Sequence, residues 1–176
     1  YLIRRQVPYI VGIPGHGNTS LLDAFVDRAD RVKMIPVMHE QSAVHLADAF
    51  YRVSGAPLAV TTSIGPGATN TTIGIAQAYV DSTAVLLITG SVHTYMRGHT
   101  VLQEIERVQW ANFPRILEPI VKRYWQVSRV DQLPYVLHRA FNQMLAGRRG
   151  PVLVDFPMDV QAEAADVELP EAEERE

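Results

Sequence analysis

Short runs of apolar and β-branched residues alternate with longer helical patterns along most of this chain. The predicted strands are Tyr9–Ile13, Val32–Val37, Leu58–Ser63, Ala84–Thr89, Ile120–Val127 and Pro151–Phe156. The predicted helices are Thr19–Arg28, Glu40–Val53, Ala68–Val80 and Val130–Leu145, with a shorter one at Glu104–Asn112. Because strands and helices alternate, we predict a parallel sheet with right-handed crossovers.

Two of the predicted strands are apolar without alternation. They contain Val85–Ile88 and Val152–Val154, and such runs are typical of strands that are covered on both faces. The predicted fold class is therefore a single doubly wound α/β domain of the flavodoxin-like type. We expect about six parallel strands with helices on both faces.

Three glycine-containing loops follow predicted strands: Gly12–Gly17, Ser63–Asn70 and Gly90–Gly98. In a doubly wound sheet, ligands bind beyond the carboxyl ends of the strands. We therefore expect these loops to meet at one edge and to form the functional site.

Composition narrows the class of protein. The chain has 176 residues, 47% hydrophobic and 20% charged, which is ordinary for one globular domain. A net charge of -3 gives no field that favours nucleic acid or an anionic membrane. We predict that residues 1–160 form the domain and that the acidic residues 161–176 are a linker or tail towards a further domain. The lack of cysteine fits a cytoplasmic location.

Glu40 is the first candidate for chemistry, because it stands at the start of an apolar helical pattern. Ala43, Val44, Ala47 and Phe50 follow it at the spacing of one helix face. One interpretation is a carboxylate that stabilises the first helical turn. The other is a functional carboxylate in an apolar setting, where desolvation would raise its pKa and strengthen its hydrogen bonds.

No metal site is predicted. His39 and Glu40 resemble the beginning of a zinc-binding H-E-x-x-H motif, but Ala43 stands where the second histidine should be. We interpret His39 as a packing residue and His45 as a residue on the helix face.

The segment Gly65–Asn70 is a glycine-rich turn between a predicted strand and a predicted helix. It lacks the third glycine of a dinucleotide-binding G-x-G-x-x-G motif. By its physical chemistry alone it could bind phosphate at a helix N-terminus, so a phosphate- or nucleotide-binding α/β domain is one alternative function. A non-catalytic assembly or binding module of the same fold is another.

Several longer strings resemble one family. They are HEQSAVHLAD from His39, GPGATN from Gly65, PGHGN from Pro14, LQE from Leu102 and GPVLVDFP from Gly150. In their order along the chain they resemble the N-terminal pyrimidine-binding domain of thiamine diphosphate-dependent enzymes, in particular the acetolactate synthase-like family. In the family, the turn that corresponds to the one from Pro14 commonly reads Pro-Gly-Gly. His16 departs from that pattern and adds a titratable group.

The resemblance implies a role for each candidate residue. Glu40 would bind the pyrimidine N1′ and shift that ring towards its imino tautomer, which removes the C2 proton of the thiazolium ring. Pro14, Pro66 and Asn70 would line the pyrimidine. Gln103 and His16 would face the thiazolium ring and the substrate.

The resemblance also implies partners. Family members act on 2-oxo acids or related carbonyl compounds, as transferases or lyases, and work as homodimers or homotetramers. Each cofactor lies between this domain of one chain and the diphosphate-binding domain of a second chain. No Gly-Asp-Gly signature of that second domain occurs in this sequence, so the Mg²⁺ ligands are expected elsewhere. We expect this segment alone to be inactive.

Overall fold

A six-stranded, all-parallel sheet forms the centre of the molecule, in a computed structural model that describes residues 1–105 and 113–171. The strand order is β2-β1-β3-β4-β6-β5. The strands are β1 (Tyr9–Gly12), β2 (Lys33–Pro36), β3 (Ala59–Thr62), β4 (Leu86–Ser91), β5 (Tyr124–Gln126) and β6 (Val152–Pro157). The predicted fold class is confirmed.

The four inner strands send successive side chains into two separate cores. Val152, Val154 and Phe156 of β6 belong to one core, whereas Leu153 belongs to the other. The same alternation divides Leu86 and Leu87 of β4. Since both faces are covered, every residue of β3, β4 and β6 is buried, as expected of a parallel sheet between two helical layers.

Helices cover both faces of the sheet. They are α1 (Thr19–Asp23), α2 (Glu40–Ser54), α3 (Pro66–Thr69), α4 (Thr72–Val80), α5 (Pro114–Leu117), α6 (Leu133–Leu145) and α7 (Met158–Ala162). Helices α2 and α4 contribute Val44 and Ile75 to one core, and α6 contributes Phe141 to the other. Within the described residues, no helix is long and apolar enough to cross a membrane.

Two predicted helices are interrupted. The prediction Thr19–Arg28 was too long, because α1 ends at Asp23 and a separate 3₁₀ turn occupies Val26–Arg28. Val26 is 69% exposed while Phe25 packs against the core, so this segment lacks one continuous buried stripe.

The prediction Ala68–Val80 also covered two helices, α3 and α4. At their junction Thr71 and Thr72 donate their hydroxyl hydrogen bonds to the carbonyl oxygens of Ala68 and Thr69. Such local bonds compete with the regular helix pattern. The helix predicted at Glu104–Asn112 lies largely outside the described residues, and Glu104 itself is not helical.

The chain reverses its direction of winding between β1 and β3, because β2 lies on one side of β1 and β3 lies on the other. This is the topological switch point, where open α/β sheets bind ligands. The loops that follow β1, β2 and β3 contain Pro14, Glu40 and Pro66 respectively. The fold therefore brings the predicted site residues to a single edge of the sheet.

Candidate functional site

Glu40 is the first residue of α2, directly after the turn that leaves β2. The turn is tied to β1, since the Val37 N–H donates to the Gly12 carbonyl oxygen at 3.0 Å. His39 is exposed and its Nδ1 accepts a hydrogen bond from the Gln41 N–H at 3.2 Å. The interpretation of His39 as a packing residue is therefore wrong, because it caps the helix instead.

The Glu40 carboxylate faces the glycine-rich loop. Its Oε2 accepts a hydrogen bond from the Asn70 side-chain amide at 2.9 Å. Its Oε1 would lie 2.9 Å from a Cβ atom at position 67, closer than real contacts of that kind. Glycine at position 67 therefore leaves the space that the carboxylate needs.

One face of α2 is apolar below Glu40, as predicted. Ala43, Val44 and Ala47 have no exposed surface, and Phe50 packs against the same core. Glu40 itself is half-buried. Its carboxylate thus stands where a buried apolar helix face reaches the open edge of the sheet.

Gly65 connects the glycine-rich loop to the segment that contains Gln103. Its φ of +52° is in the left-handed region that favours glycine, and a Cβ atom there would lie 1.9 Å from the Gln103 carbonyl oxygen. The two backbones therefore approach more closely than any side chain at position 65 would permit. Gln103 has a positive φ of 64° and is exposed.

Three carboxylates hold residues 92–105, which we call the β4 loop. Glu104 accepts hydrogen bonds from the backbone N–H groups of Gly98 and Val101, and so closes the turn before Gln103. Asp159 of α7 accepts from both the N–H and the hydroxyl of Thr94. A long-range contact to α7 and a local turn thus hold the two ends of a segment with little regular structure.

The third carboxylate belongs to Asp155, which is fully buried near the end of β6. It accepts hydrogen bonds from Thr89 at 3.3 Å and from Gln126 at 3.1 Å. The Arg97 guanidinium of the β4 loop lies 3.6 Å from it. An acidic residue inside the apolar run of β6 was the available sequence signal, and sequence reasoning missed it.

The pKa of Asp159 is lowered from its ordinary value. Burial raises this pKa, but hydrogen bonds from Thr94 and from backbone N–H groups stabilise the charged form and outweigh burial. Asp159 is therefore a charged anchor for the β4 loop near neutral pH.

His16 lies across a small cavity from the β4 loop. The cavity has a volume of about 220 Å³ and both His16 and His93 line it. The remaining lining is apolar: Ile64, Val92, Met96, Val101, Leu102 and Met158. The predicted residue His16 thus shares a cavity with Leu102, the neighbour of Gln103.

The loops after β1 and β3 are also joined directly. The Gly17 N–H donates to the Ser63 hydroxyl oxygen at 3.2 Å. Asn18 is fully buried, and its side-chain amide donates to the Ile13 carbonyl oxygen and to the Thr61 hydroxyl. Asn18 therefore bridges two strand ends.

The structure brings most predicted site residues to this edge, in two groups. Glu40 and Asn70 are in direct contact, with Pro66 exposed in the same loop. Gln103 reaches that loop through Gly65, and His16 meets the β4 loop across the cavity. Pro14 is exposed in the turn after β1. The arrangement places one carboxylate, two amides and two imidazoles around the ends of four strands.

Comparisons with known proteins agree with this geometry. Residues 1–110 match the model of the family described as "Thiamine pyrophosphate enzyme, N-terminal TPP binding domain", where pyrophosphate is a synonym of diphosphate. A probable acetolactate synthase large subunit of Methanocaldococcus jannaschii is 40% identical over 163 residues, which are 92% of this chain and 26% of the relative.

Two further relatives have similar coverage. The acetolactate synthase isozyme 3 large subunit of Escherichia coli K12 is 37% identical over 90% of this chain and 26% of its own length. An acetolactate synthase of Arthrospira platensis is 39% identical over 90% of this chain and 27% of its own length. The chain thus spans about a quarter of the length of the curated relatives it matches. The chain belongs to the thiamine pyrophosphate enzyme family and forms its N-terminal cofactor-binding domain.

Proposed function

We propose that the protein containing this domain is a thiamine diphosphate-dependent transferase or lyase that acts on 2-oxo acids or related carbonyl compounds, as acetolactate synthases do. The observation that carries this proposal is the hydrogen bond between Glu40 and Asn70, beside the space that Gly67 leaves for the carboxylate. It is found in a chain that belongs to this family. The family match argues against the two alternatives, a phosphate-binding domain and an assembly module without catalysis.

The residues at this edge fit the pyrimidine ring of the cofactor. Gly67 leaves backbone without a side chain beside the carboxylate, so no side chain at position 67 blocks a flat ring from it. Asn70 and Pro66 are exposed in the same loop, and Pro14 is exposed in the neighbouring one. An amide and a carboxylate suit the polar edge of an aminopyrimidine, and proline rings suit its face.

Each residue would then have a definite task. When bound, thiamine diphosphate supplies a nucleophilic thiazolium carbon for reactions of carbonyl compounds. Glu40 would hold the proton at the pyrimidine N1′, and Asn70 would keep the carboxylate in position by occupying its Oε2. Pro14 and Pro66 would pack against the pyrimidine. The Gln103 amide and the His16 imidazole would face the thiazolium ring and the substrate.

The rest of the assembly is part of the same proposal. The diphosphate and Mg²⁺ would be bound by a separate domain of a second chain, in a homodimer or homotetramer. Residues 161–176 would be the acidic link to a further domain, and the location would be cytoplasmic. The domain alone would then lack the charged end of the cofactor site and would be inactive.

Glu40→Gln in the full-length protein tests the proposal. The amide keeps the shape of the side chain but cannot hold the N1′ proton in the same way. We expect C2–H exchange of bound thiamine diphosphate, measured by NMR, to slow by roughly 10²–10⁴-fold, the range for lost acid–base assistance. Folding should be unchanged, as judged by thermal unfolding.

Glu118→Gln is the matched control, because Glu118 is an exposed carboxylate that pairs with Arg115 away from this edge. It should exchange at the wild-type rate. Exchange at the wild-type rate in Glu40→Gln would instead assign Glu40 to helix stabilisation and would contradict the proposal.

A further inference from the structure

His93 carries a ring nitrogen that the rest of the structure does not use. Its Nδ1 is buried and has no hydrogen-bond partner among the described residues. The same imidazole lines the cavity that it shares with His16. A buried polar atom without a partner is destabilising, and its position beside a cavity indicates that a ligand completes it.

The His93 ring is held in place by its neighbours. Tyr95 lies against it, with the ring centroids 5.3 Å apart. Thr94, the next residue, is fixed to Asp159 by two hydrogen bonds. The Met96 N–H donates to the His93 carbonyl oxygen at 2.9 Å, which closes the turn. The imidazole is therefore presented to the cavity by a pre-organised turn, and binding would not have to order it.

The lining of the cavity limits the chemistry of its occupant. Six of the eight lining side chains are apolar, and the two polar ones are the imidazoles of His16 and His93. Neither Lys, Arg, Asp nor Glu lines the cavity among the described residues. Proteins usually bind ionic ligands with side chains of the opposite charge. This lining instead suits the uncharged part of a ligand that also has an oxygen within hydrogen-bonding distance of an imidazole.

The size and position of the cavity point to a small molecule. A volume of about 220 Å³ corresponds to roughly seven water molecules at the density of the liquid. The cavity lies where the loops after β1, β3 and β4 meet, and Leu102 connects its wall to Gln103. A ligand there would adjoin the edge to which the reaction is assigned above.

We propose that His93 is a specificity-determining residue, which hydrogen-bonds a second oxygen of a small carbonyl substrate whose uncharged, apolar end fills the cavity beside His16. This inference rests on the proposed function, because that function is what makes the bound molecule a substrate. It adds the class of substrate, namely a carbonyl compound with a further carbonyl or hydroxyl oxygen and no charge at the end that enters the cavity.

Diacetyl, a small neutral compound with two adjacent carbonyl groups, is a suitable probe. We expect it to shift the imidazole NMR signals of His93 and His16 in the full-length protein labelled at histidine. The control is His138 of α6, whose ring contacts Tyr1 and Asn142 outside this cavity and should not respond. The proposal would be overturned if all three histidines shifted equally. It would also be overturned if the His93 signals did not move at a diacetyl concentration that saturates the shift of any other signal.

Two variants of the full-length protein separate hydrogen bonding from packing. His93→Phe keeps a ring, and we expect it to raise the Kd for diacetyl, measured by titration of the His16 NMR signals, about tenfold, as the loss of one buried hydrogen bond predicts. His93→Gln keeps a polar group and should recover part of that loss. An unchanged Kd in His93→Phe would contradict the proposal, and thermal unfolding would verify that both variants are folded.

Failure of this inference can be distinguished from failure of the proposed function. C2–H exchange of bound thiamine diphosphate reports on Glu40, whereas the His93 signals report on the cavity. Normal exchange in Glu40→Gln would contradict the proposed function without changing the response of His93 to diacetyl. A silent His93 together with slow exchange in Glu40→Gln would overturn only the inference about the cavity.

Discussion

The two parts of the candidate site are built in different ways. At the Glu40 corner, which comprises Glu40, Gly67 and Asn70, Glu40 begins α2, Gly67 lies in α3 and Asn70 directly follows α3. The β4 loop has one short 3₁₀ turn at Thr94–Met96 among its described residues, and carboxylates from within it and from β6 and α7 hold it. Regular structure positions the first part, and separate polar contacts position the second.

The difference predicts different responses to mutation. A change at the Glu40 corner should alter the position of one carboxylate without loosening the fold, because the backbone there is part of the sheet and of its helices. A change at an anchor of the β4 loop should loosen a segment and leave Glu40 where it is. Three variants of the full-length protein test this contrast.

Gly67→Ala should have the largest effect. The added Cβ would lie 2.9 Å from the Glu40 Oε1 atom and would displace the carboxylate, while alanine remains a good helix residue. A misplacement of about 1 Å can cost on the order of 10²-fold in rate, and we expect C2–H exchange to slow by that factor. Thermal unfolding should change little.

The double variant is the control for Gly67→Ala. If the added methyl group acts only through the carboxylate, it should have no further effect in a Glu40→Gln background, where that carboxylate is absent. Additive losses of C2–H exchange in the double variant would show that Gly67 serves the cofactor in some other way.

Glu104→Ala should have an intermediate effect. It removes the acceptor for the Gly98 and Val101 N–H groups, so the turn before Gln103 would lose its closure. We expect kcat/KM to fall about tenfold, because two hydrogen bonds to a charged group are lost while Asp155 and Asp159 still hold the loop, and C2–H exchange should stay normal. Glu104→Gln should retain part of the activity. A matching loss of exchange would show that the two parts of the site are not independent.

Thr94→Val should have the smallest effect, about 1 kcal/mol of stability near neutral pH, since it removes one of the hydrogen bonds to Asp159. Because the folded-state pKa of Asp159 is lowered, this stabilisation is present above the ordinary carboxyl pKa of about 3.9 and is lost as the pH falls through the folded-state value. The difference in unfolding free energy between wild type and Thr94→Val should therefore shrink below about pH 4.

Chemical denaturation at a series of pH values measures this difference, and Thr94→Ser, which retains the hydroxyl, is the control. A gap between wild type and Thr94→Val that stays constant down to low pH would show that the Thr94 hydroxyl does not act through the ionised Asp159.

The sequence alone determined the fold and the Glu40 corner, because both depend on local patterns. Apolar runs without alternation identified the inner strands, and the apolar spacing after Glu40 identified α2 and its buried face. The carboxyl ends of parallel strands, and the loops that follow them, lie at one edge of the sheet. Glu40 and Gly65–Asn70 both follow such strand ends, so the order of elements along the chain predicted that they approach each other.

Only the tertiary structure decided how the β4 loop is held and what lies beside it. Asp155, Asp159 and Arg97 act across long sequence separations, and no local pattern indicates which acceptor each donor will find. The break near Phe25 also depends on packing, because Phe25 contacts the core. The break at Asn70 is local instead, since the Thr71 and Thr72 hydroxyls bond to carbonyl oxygens three residues earlier, and helical periodicity alone did not indicate it. The cavity between His16 and His93 exists because loops after different strands fold against one another, and that depends on three-dimensional packing.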